Sequence, residues 1–213
     1  ALVLLLTAAP GEQRTLARAV QDAAQARAAQ HPAYQLVADL ALHHPGDIGL
    51  VVSVFLNALR LEPGEAVFLG AGTLHSYVHG LGVELMATSD NVVRAGLTTK
   101  HVNVPELLRL TDFTPGAPAK LDPRAGTGSS LTFSVPVPDF ALWTLTGPAP
   151  DPVDGPPAGA RIVLCVRGRA AATCGRHTTD LRAGESVFVQ DGDGPLTVTT
   201  SGIVAVAHQP GVR

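Results

Sequence analysis

The sequence predicts a mainly β protein with a small helical subdomain near its N-terminal end. Apolar residues recur at helical spacing in the first sixty positions, whereas later positions form short apolar runs between Gly/Pro turns. One turn-and-strand pattern occurs twice, beginning near residues 61 and 181. We therefore expect a helical subdomain at 1–60, a β-region at 61–113 and a second β-region at 114–213.

Composition excludes several classes of partner. Of the 213 residues, 46% are hydrophobic and 15% are charged, and the net charge is -3, which argues against nucleic acid or an anionic membrane. The apolar run 1–10 is much shorter than the roughly 20 residues of a membrane span and has no basic region before it. We therefore expect no membrane contact, no secretion signal and a cytoplasmic location. Cys165 and Cys174 are expected to be reduced thiols.

The first sixty residues predict three helices. The Ala-, Gln- and Arg-rich segment 12–30 predicts one that ends before Pro32, and an apolar stripe predicts a second at 34–42. Asp47 is placed to cap a third helix at 48–59, for which a strand is the competing interpretation because several residues are β-branched. The adjacent His43 and His44 are interpreted as a solvated helix end, not a metal site.

The rest of the chain alternates short apolar runs with turns. A turn and strand are predicted at 61–72, and a short helix with proline in its first turn at 104–110. A Gly/Pro-rich linker-like passage begins at 114, and a proline-rich loop is predicted at 147–159. The predicted strands are 83–87, 91–96, 131–137, 140–146, 161–166, 186–190, 196–199 and 203–207.

The repeated pattern indicates two β-regions of one kind. Residues 61–69 and 181–189 share the form Leu-x-x-Gly-Glu-x-Val-Phe-apolar. Gly70, Gly72 and His75 follow the first copy, whereas the second copy has Pro195 at the position of the histidine. This spacing resembles the second motif of the cupin superfamily, which implies two double-stranded β-helix (jelly-roll) barrels. It implies that only the first barrel holds a metal on this strand.

Residues 74–100 place several charged side chains in a run that otherwise has the pattern of buried β-structure. Burying charge without a partner is costly, so we interpret this run as the functional site.

Segments of this run resemble the C-terminal signature of type I mannose-6-phosphate isomerases. The matching segments are 71–77, 83–87 and 89–100, and Ser-Asp-Asn-Val-Val-Arg-Ala-Gly is the most specific of them. The resemblance extends over nearly the whole chain, because a helical insertion, a metal cupin and a degenerate cupin follow in the family's order. It implies a zinc-dependent interconversion of mannose 6-phosphate and fructose 6-phosphate through an enediolate. Gly70, Leu74 and Thr99 depart from family prolines but leave the polar positions unchanged.

The resemblance also implies that the first barrel is incomplete in this chain. In the family, a glutamine, a histidine and a glutamate from an upstream segment bind zinc with a fourth ligand, whose position is that of His75. No Gln-x-His segment occurs here and the chain has no initiator methionine. We therefore expect the other ligands in an N-terminal part of the same protein, which would be a partner of this chain along with a small sugar phosphate.

Three residues of the run are candidates for metal binding and catalysis. His75 suits zinc as a neutral imidazole, with a core histidine as the alternative. Arg94 offers a planar, permanently charged group for an enediolate or a phosphate. Glu84 is a candidate base or orienting carboxylate, with a surface glutamate as the alternative.

Three further residues are candidates for substrate binding. Lys100 is expected on a loop at the mouth of the site, or as a solvated lysine. Tyr77 is in phase with His75 on the predicted strand, so it either reaches substrate or packs in the core. Asp90 binds sugar hydroxyls, assists ring opening or caps the following turn. His79 is also in phase but lies farther along, and we leave it outside this set.

Two other functions are compatible with these patterns. One is a non-catalytic sugar-phosphate-binding double cupin, and the other is a different metal cupin enzyme such as an oxygenase. The Asp-Asn-Val-Val-Arg-Ala-Gly segment favours a sugar phosphate.

Overall fold

The computed structural model describes residues 1–89 and 92–210, which belong to two compact units. The first unit comprises Ala1–Arg60, Leu69–Gly80 and Ser89–Pro118. The second comprises Leu61–Phe68, Leu81–Thr88 and Ala119–Arg213. Within the described part of the chain, no helix is both long and apolar enough to cross a lipid bilayer.

The first unit contains the α-helices. The predicted helices at 12–30, 34–42 and 104–110 are confirmed, and all three have proline in the first turn, where its missing N–H costs nothing. The Nδ1 atom of His31 accepts a hydrogen bond from the Ala33 amide and so caps the helix at Pro32. The helices are α1 (Leu2–Thr7), α2 (Pro10–Arg27), α3 (Pro32–His43), α4 (Gly49–Ser53) and α5 (Val104–Leu110).

Two hydrophobic clusters hold the first unit together. The α2–α3 cluster consists of Ala24, Val37, Leu40, Ala41 and Leu50, with Val20, Leu36 and Leu97 packed against it. The Leu107 cluster consists of Leu6, Val52 and Leu107, with Leu2, Ile48, Leu74, Val93, Ala95, Val102, Val104 and Leu108 packed against it. Helix α4 contributes to both, through Leu50 and Val52.

The predicted helix at 48–59 is wrong in length. Helix α4 ends at Ser53, and the apolar side chains of Val54, Phe55 and Leu59 beyond it are exposed. Most helical stability in a protein comes from burying an apolar face. Each of these three side chains keeps more than two fifths of its surface exposed, so further helical turns would gain little from burial.

The second unit consists of antiparallel β-structure, which confirms the predicted fold class of a mainly β chain with a small helical part. A six-stranded sheet has the order β10-β7-β12-β5-β4-β3, a four-stranded sheet has the order β6-β11-β8-β9, and β1 pairs with β2. The strands are β1 (Ala66–Phe68), β2 (Ala119–Leu121), β3 (Arg124–Ala125), β4 (Ser130–Phe133), β5 (Ala141–Thr146), β6 (Ala149–Asp154), β7 (Arg161–Arg167), β8 (Arg169–Cys174), β9 (His177–Arg182), β10 (Ser186–Val189), β11 (Leu196–Thr200) and β12 (Ile203–His208).

Both large sheets contribute to one core. Burial alternates along β5, β7 and β11, so one face of each strand points inward, as expected for sheets that pack face to face. The core includes Trp143, Leu145, Val163, Leu196, Val198, Val204 and Val206. Cys165 is buried and Cys174 is partly buried, and both are free thiols, as predicted. Burial raises the pKa of each thiol, which keeps them protonated and unreactive.

The repeated sequence forms the same turn twice. In each copy the glutamate amide donates to a carbonyl three residues earlier, from Glu65 to Glu62 and from Glu185 to Arg182, both at 2.9 Å. The glutamate carboxylate then accepts from that earlier residue's amide, at 2.9 Å and 2.8 Å. Gly64 and Gly184 both have a φ of 88°, a conformation that side chains disfavour. The shared Gly-Glu pair therefore encodes a specific turn that leads into β1 and β10.

Two strand predictions near the centre of the chain are wrong. Residues 83–87 and the described residues 92–96 form no strand, and most of their side chains are exposed or only partly buried. A strand requires a neighbour that pairs with its backbone N–H and C=O groups. No described segment pairs its backbone with these residues, so they remain irregular although their sequence has the pattern of a strand.

The predicted loop at 147–159 instead contains strand β6. Its sequence, Ala-Pro-Asp-Pro-Val-Asp, contains two prolines that indicated a loop. Strand β6 lies at the edge of the four-stranded sheet and pairs only with β11 among the described strands. At an edge, a proline can face away from the ladder, so its missing N–H is tolerated. The alanine-rich β8 and the polar β9 were also not predicted, because their strand structure comes from pairing, not from apolar alternation.

A buried arginine joins two loops at one end of the second unit, the loop between β6 and β7 and the loop between β10 and β11. Arg161 is fully buried at the start of β7, and no described carboxylate pairs with it. Its Nη1 donates to the carbonyls of Gly194 at 2.9 Å and Pro156 at 3.2 Å, and its Nη2 donates to Gln190 at 2.9 Å. Hydrogen bonds to a charged donor are stronger than neutral ones, so this clasp of three bonds offsets part of the cost of burying the guanidinium, whose Nε has no described hydrogen-bond partner.

His208 lies beside this clasp. It is the register partner of Arg161 on β12, and its Nε2 is buried with no described hydrogen-bond partner. Burial lowers the pKa of His208, a hydrogen bond with Gln209 opposes this effect, and the positive charge of Arg161 lowers the pKa further. The native state therefore favours a neutral imidazole at this position.

We predict that Arg161→Met lowers the free energy of unfolding of the second unit by about 2–4 kcal/mol, because three carbonyls lose a charged donor. Urea unfolding followed by the fluorescence of Trp143 measures this, since Trp143 is the only tryptophan and lies in the core of that unit. Arg167→Met, at the exposed end of the same strand, is the control and should change little. Equal effects of the two changes would contradict the clasp.

We also predict that His208 makes the second unit sensitive to acid. Because the folded-state pKa lies below the ordinary value of 6.5, the stabilisation is complete above about pH 6.5 and declines as the pH falls below it. His208→Gln should reduce the loss of stability between about pH 7.5 and about pH 5.5 in the same fluorescence assay. His177→Gln, at an exposed position, should retain the wild-type loss, and an unchanged profile for His208→Gln would refute this prediction.

Candidate functional site

His75 lies in an irregular, exposed segment of the first unit. Its Nδ1 is 2.9 Å from the carbonyl oxygen of Thr73. A carbonyl oxygen can only accept, so Nδ1 carries the proton, and the neutral ring has its lone pair on Nε2. This arrangement, in which a backbone carbonyl fixes the tautomer, is typical of a metal-binding histidine.

Tyr77 stays on the same side of the chain as His75, although the segment is not a strand. The two rings meet edge to face, with centroids 6.1 Å apart and an interplanar angle of 71°. Tyr77 is 71% exposed, so the alternative of core packing is wrong for the described structure. The phenol is accessible to solvent next to the imidazole.

The backbone on the N-terminal side of His75 is anchored at two points. The carbonyl of Gly72 accepts from the Asp112 amide at 3.0 Å, just after helix α5. The side chain of Leu74 packs against the Leu107 cluster. His75 is therefore exposed on a backbone that the core of the first unit positions.

Arg94 is positioned by the same cluster. Its neighbours Val93 and Ala95 both pack against the Leu107 cluster, whereas Arg94 is exposed. The segments before His75 and on both sides of Arg94 are thus attached to one set of core side chains. The guanidinium of Arg94 has no ion-pair partner among the described residues, so none of them competes with an anion for it.

Leu97 adopts a strained conformation between Arg94 and Lys100. Its φ is 51°, in the left-handed region that costs an ordinary residue roughly 1–2 kcal/mol. Two interactions hold it there: its side chain packs against the α2–α3 cluster, and its amide donates to Asp47 Oδ1 at 3.1 Å. The same Oδ1 accepts from the Gly49 amide at 2.6 Å.

Lys100 follows this turn and is exposed. Its backbone amide donates to Thr98 Oγ1 at 3.1 Å, which defines the local turn. Its ammonium group, like the guanidinium of Arg94, has no ion-pair partner in the described ranges. Lys100 thus lies on an exposed loop, which fits both the predicted place at the mouth of a site and the alternative of a solvated lysine, and its role remains a prediction.

The structure does not bring all six candidate residues into one described site. His75, Tyr77, Arg94 and Lys100 belong to the first unit, whereas the exposed Glu84 belongs to the second. Asp90 lies outside the described residues. The interpretation of residues 74–100 as buried is wrong, because the candidates among the described residues are all exposed. No strand in the described part of the chain covers them.

The described residues supply one plausible ligand and no complete metal site. Across 1–89 and 92–210, no three His, Cys, Asp or Glu side chains cluster closely enough to hold a metal ion. The lone pair on His75 Nε2 fits a metal, and a zinc site needs further ligands.

Sequence reasoning missed the second role of Asp47. The residue was predicted to cap the helix that follows, which the hydrogen bond to Gly49 confirms. Its hydrogen bond to Leu97 spans fifty positions, and no local pattern indicates such a partner. In the structure the two segments meet at Gly49 and Gly96, where a Cβ on Gly96 would lie 3.0 Å from the Cα of Gly49. The two glycines are the only trace of this contact in the sequence, and nothing in the sequence pairs them.

We predict that Gly49→Ala destabilises the first unit by about 1–3 kcal/mol. The new Cβ would lie 2.8 Å from both the Cγ and the amide nitrogen of Leu97, so the 92–100 segment must shift. Thermal unfolding followed by circular dichroism at the helix band reports this, because the described α-helices all belong to the first unit. Gly11→Ala, in α2 with nothing within 4 Å, should instead be neutral or slightly stabilising. A neutral Gly49→Ala would contradict the close contact.

Comparisons with known proteins place these features in a family context. No protein-family model matches the chain. The mannose-6-phosphate isomerase of Salmonella typhimurium is 36% identical over 196 residues, which are 92% of this chain and 50% of that protein. The Macaca fascicularis enzyme of the same name is 43% identical over 118 residues, which are 54% of this chain and 28% of that protein.

Solved structures agree with the sequence comparison. A crystal structure of mannose 6-phosphate isomerase from Salmonella typhimurium, bound to fructose 6-phosphate and zinc, superposes with a TM-score of 0.80 at 30% identity. The match includes 99% of this chain and 53% of that one. The chain spans about half the length of the curated relatives it matches. It therefore belongs to the mannose-6-phosphate isomerase family and corresponds to the C-terminal half of the related proteins.

Proposed function

We propose that this chain forms the C-terminal half of a zinc-dependent mannose-6-phosphate isomerase. The observation that carries the proposal is that the neighbours of His75 and of Arg94 pack against the same Leu107 cluster. The His75 ring is held in a tautomer that can bind a metal through Nε2, and Arg94 has no described acidic partner. By the complete protein we mean this chain joined to an N-terminal half like that of its relatives. Its substrates are mannose 6-phosphate and fructose 6-phosphate, and it works in the cytoplasm.

His75 is proposed as one zinc ligand, through Nε2. The Thr73 carbonyl holds the ring in the tautomer that leaves this atom free to coordinate. When bound, zinc supplies Lewis-acid polarisation of substrate oxygens. The remaining ligands are proposed to come from the N-terminal half, because no three-ligand cluster occurs within the described ranges.

Arg94 and Lys100 are proposed to bind the negative charges of the substrate. The isomerisation moves a proton between adjacent carbons and develops negative charge on two oxygens, while the phosphate remains dianionic. Arg94 presents a planar fork of N–H donors suited to either group, and Lys100 presents a mobile point charge suited to the phosphate. Neither cation has a described acidic partner that would compete with the substrate.

Glu84 is proposed as the base or as a carboxylate that orients the substrate. Solved variants of the Salmonella typhimurium protein replace a glutamate and, ten positions later, an arginine by alanine. Glu84 and Arg94 have the same spacing and the same order. This coincidence supports a paired role for the two residues. Tyr77, beside His75, and Asp90 are proposed to contact the sugar hydroxyls.

The proposed N-terminal half would also cover exposed apolar side chains. In the first unit, Val54, Phe55 and Leu59 are exposed after α4, and in the second unit Leu81 is 88% exposed and Met86 is 56% exposed. Contiguous exposed apolar side chains commonly mark an interface. We propose that strands of the N-terminal half pair with these segments and complete the first of two cupin-like barrels, and that residues 114–213 form the second.

A chain that binds sugar phosphate without catalysis is the alternative. Such a protein would use the same cations and would need no complete metal site. The two functions differ in turnover and in zinc content, so both quantities must be measured on the same protein.

We predict that Arg94→Ala in the complete protein lowers kcat for mannose 6-phosphate at least about a hundredfold while zinc content stays at one per chain. His75→Ala should lose zinc and activity together. Coupled isomerase assays and elemental analysis on the same samples measure both quantities. Arg109→Ala is the matched control, because this exposed arginine pairs with Glu106 in α5 and should not affect turnover.

Three results would overturn the proposal. If the unsubstituted complete protein binds fructose 6-phosphate but does not isomerise it, the non-catalytic alternative is correct. If Arg94→Ala retains turnover, the role of Arg94 is wrong. If the 213-residue chain alone binds one zinc tightly, the proposed division of ligands between the two halves is wrong.

A further inference from the structure

Asp47 lies outside the segments that carry the candidate catalytic and substrate-binding residues. It is on the loop between α3 and α4, in the helical part of the first unit. Its partly buried carboxylate nevertheless contacts the segment between Arg94 and Lys100, through the Leu97 amide. No other described side-chain hydrogen bond joins residues 1–60 to the described residues of 92–100.

The conformation of Leu97 shows why this hydrogen bond matters. A leucine at a φ of 51° reverts to an extended or right-handed helical conformation unless its surroundings prevent it. Either change would redirect the chain between Arg94 and Lys100, which are six residues apart. Strained residues of this kind are frequent next to functional groups that require a fixed geometry.

Three attachments surround the strained residue. Val93 and Ala95 pack against the Leu107 cluster, the Leu97 side chain packs against the α2–α3 cluster, and Asp47 holds the Leu97 amide. The apolar contacts are not directional, whereas the hydrogen bond fixes the orientation of one peptide group. Asp47 is therefore the attachment that selects the backbone conformation.

We infer that Asp47 is a positioning residue, which sets the spacing of the Arg94 and Lys100 side chains by holding the Leu97 peptide in its left-handed turn. The inference rests on the proposed function for the roles of the two cations. Asp47 does not touch the substrate and acts only through the 94–100 backbone. Displacement of a substrate-binding group by about 1 Å can cost about a hundredfold in rate, so such an attachment has a measurable effect.

The test compares two aspartates that make the same kind of local cap. Asp47 accepts from the amide two residues later, Gly49, and Asp112 accepts from the amide two residues later, Thr114, at 2.9 Å. Only Asp47 also accepts from Leu97. Asp112→Ala removes a local cap from the first unit but keeps the backbone amide that donates to Gly72, so it leaves the anchor before His75 and the 94–100 segment intact.

The variants are made in the complete protein and assayed well below their unfolding temperatures, with folding checked by circular dichroism. We expect Asp47→Ala to lower kcat/KM for mannose 6-phosphate about a hundredfold and to raise the dissociation constant of fructose 6-phosphate about tenfold in the zinc-free protein. Asp47→Asn keeps an acceptor oxygen and should stay within about threefold of the wild type. Asp112→Ala should leave both quantities unchanged.

A second variant keeps the inference testable if Asp47→Ala does not fold. Leu97→Gly removes the strain and the side-chain attachment but keeps the amide that donates to Asp47, so the hydrogen bond alone must hold the turn. We expect Leu97→Gly to bind fructose 6-phosphate within about threefold of the wild type, and a roughly tenfold loss would show that the Leu97 side chain, and not Asp47, sets the turn.

Two failures are distinguishable. If the unsubstituted complete protein shows no isomerase activity, the proposed function fails, and fructose 6-phosphate binding still decides the role of Asp47. If Asp47→Ala lowers the unfolding temperature but binds fructose 6-phosphate and turns over substrate as Asp112→Ala does, Asp47 is purely structural and the inference is wrong.

Discussion

One carboxylate oxygen links the helical part of the first unit to its candidate site. Asp47 Oδ1 accepts from Gly49 at the start of α4 and from Leu97 between the two proposed anion-binding cations. The close approach of Gly49 to Gly96 brings these amides within reach of the same atom, because a side chain on either residue would push the segments apart. The positions of Arg94 and Lys100 depend on this carboxylate and on the Leu107 cluster.

The two copies of the repeated turn are followed by different groups, an exposed histidine in the first unit and a buried arginine in the second. After the first copy, the chain presents His75 with Nε2 open to a metal. After the second copy, Pro195 replaces the histidine, and the carbonyls of Gln190 and Gly194 bind the guanidinium of Arg161 instead. An internal cation thus ties the corresponding loop of the second unit to its core.

Sequence patterns predicted the elements whose causes are local. Helices α2 and α3 were predicted from apolar spacing and α5 from proline in its first turn, and the repeated Gly-Glu turn was visible as a repeat. Residues 71–100 carry the family resemblance in their order of polar side chains, and homology over 92% of the chain confirms it.

The features that were missed depend on tertiary structure. Strand β6 was missed because its prolines are tolerated only at a sheet edge, which the sequence does not reveal. The exposed state of residues 75–84 was missed because an alternating pattern does not show whether a neighbouring strand is present. The hydrogen bond between Asp47 and Leu97 joins positions fifty residues apart, so no local sequence pattern indicates it. The left-handed φ of Leu97 is likewise visible only in the structure.

His75, Arg94 and Lys100 are proposed as the contribution of this chain to a zinc and sugar-phosphate site. The most direct measurement is a crystal structure of the complete protein with fructose 6-phosphate, collected at the zinc absorption edge. We predict an anomalous peak about 2.0–2.1 Å from His75 Nε2, with Nδ1 still bound to the Thr73 carbonyl. We also predict sugar-phosphate oxygens within hydrogen-bond distance of Arg94 and Lys100. Zinc bound away from His75, or a substrate that contacts neither cation, would contradict this assignment.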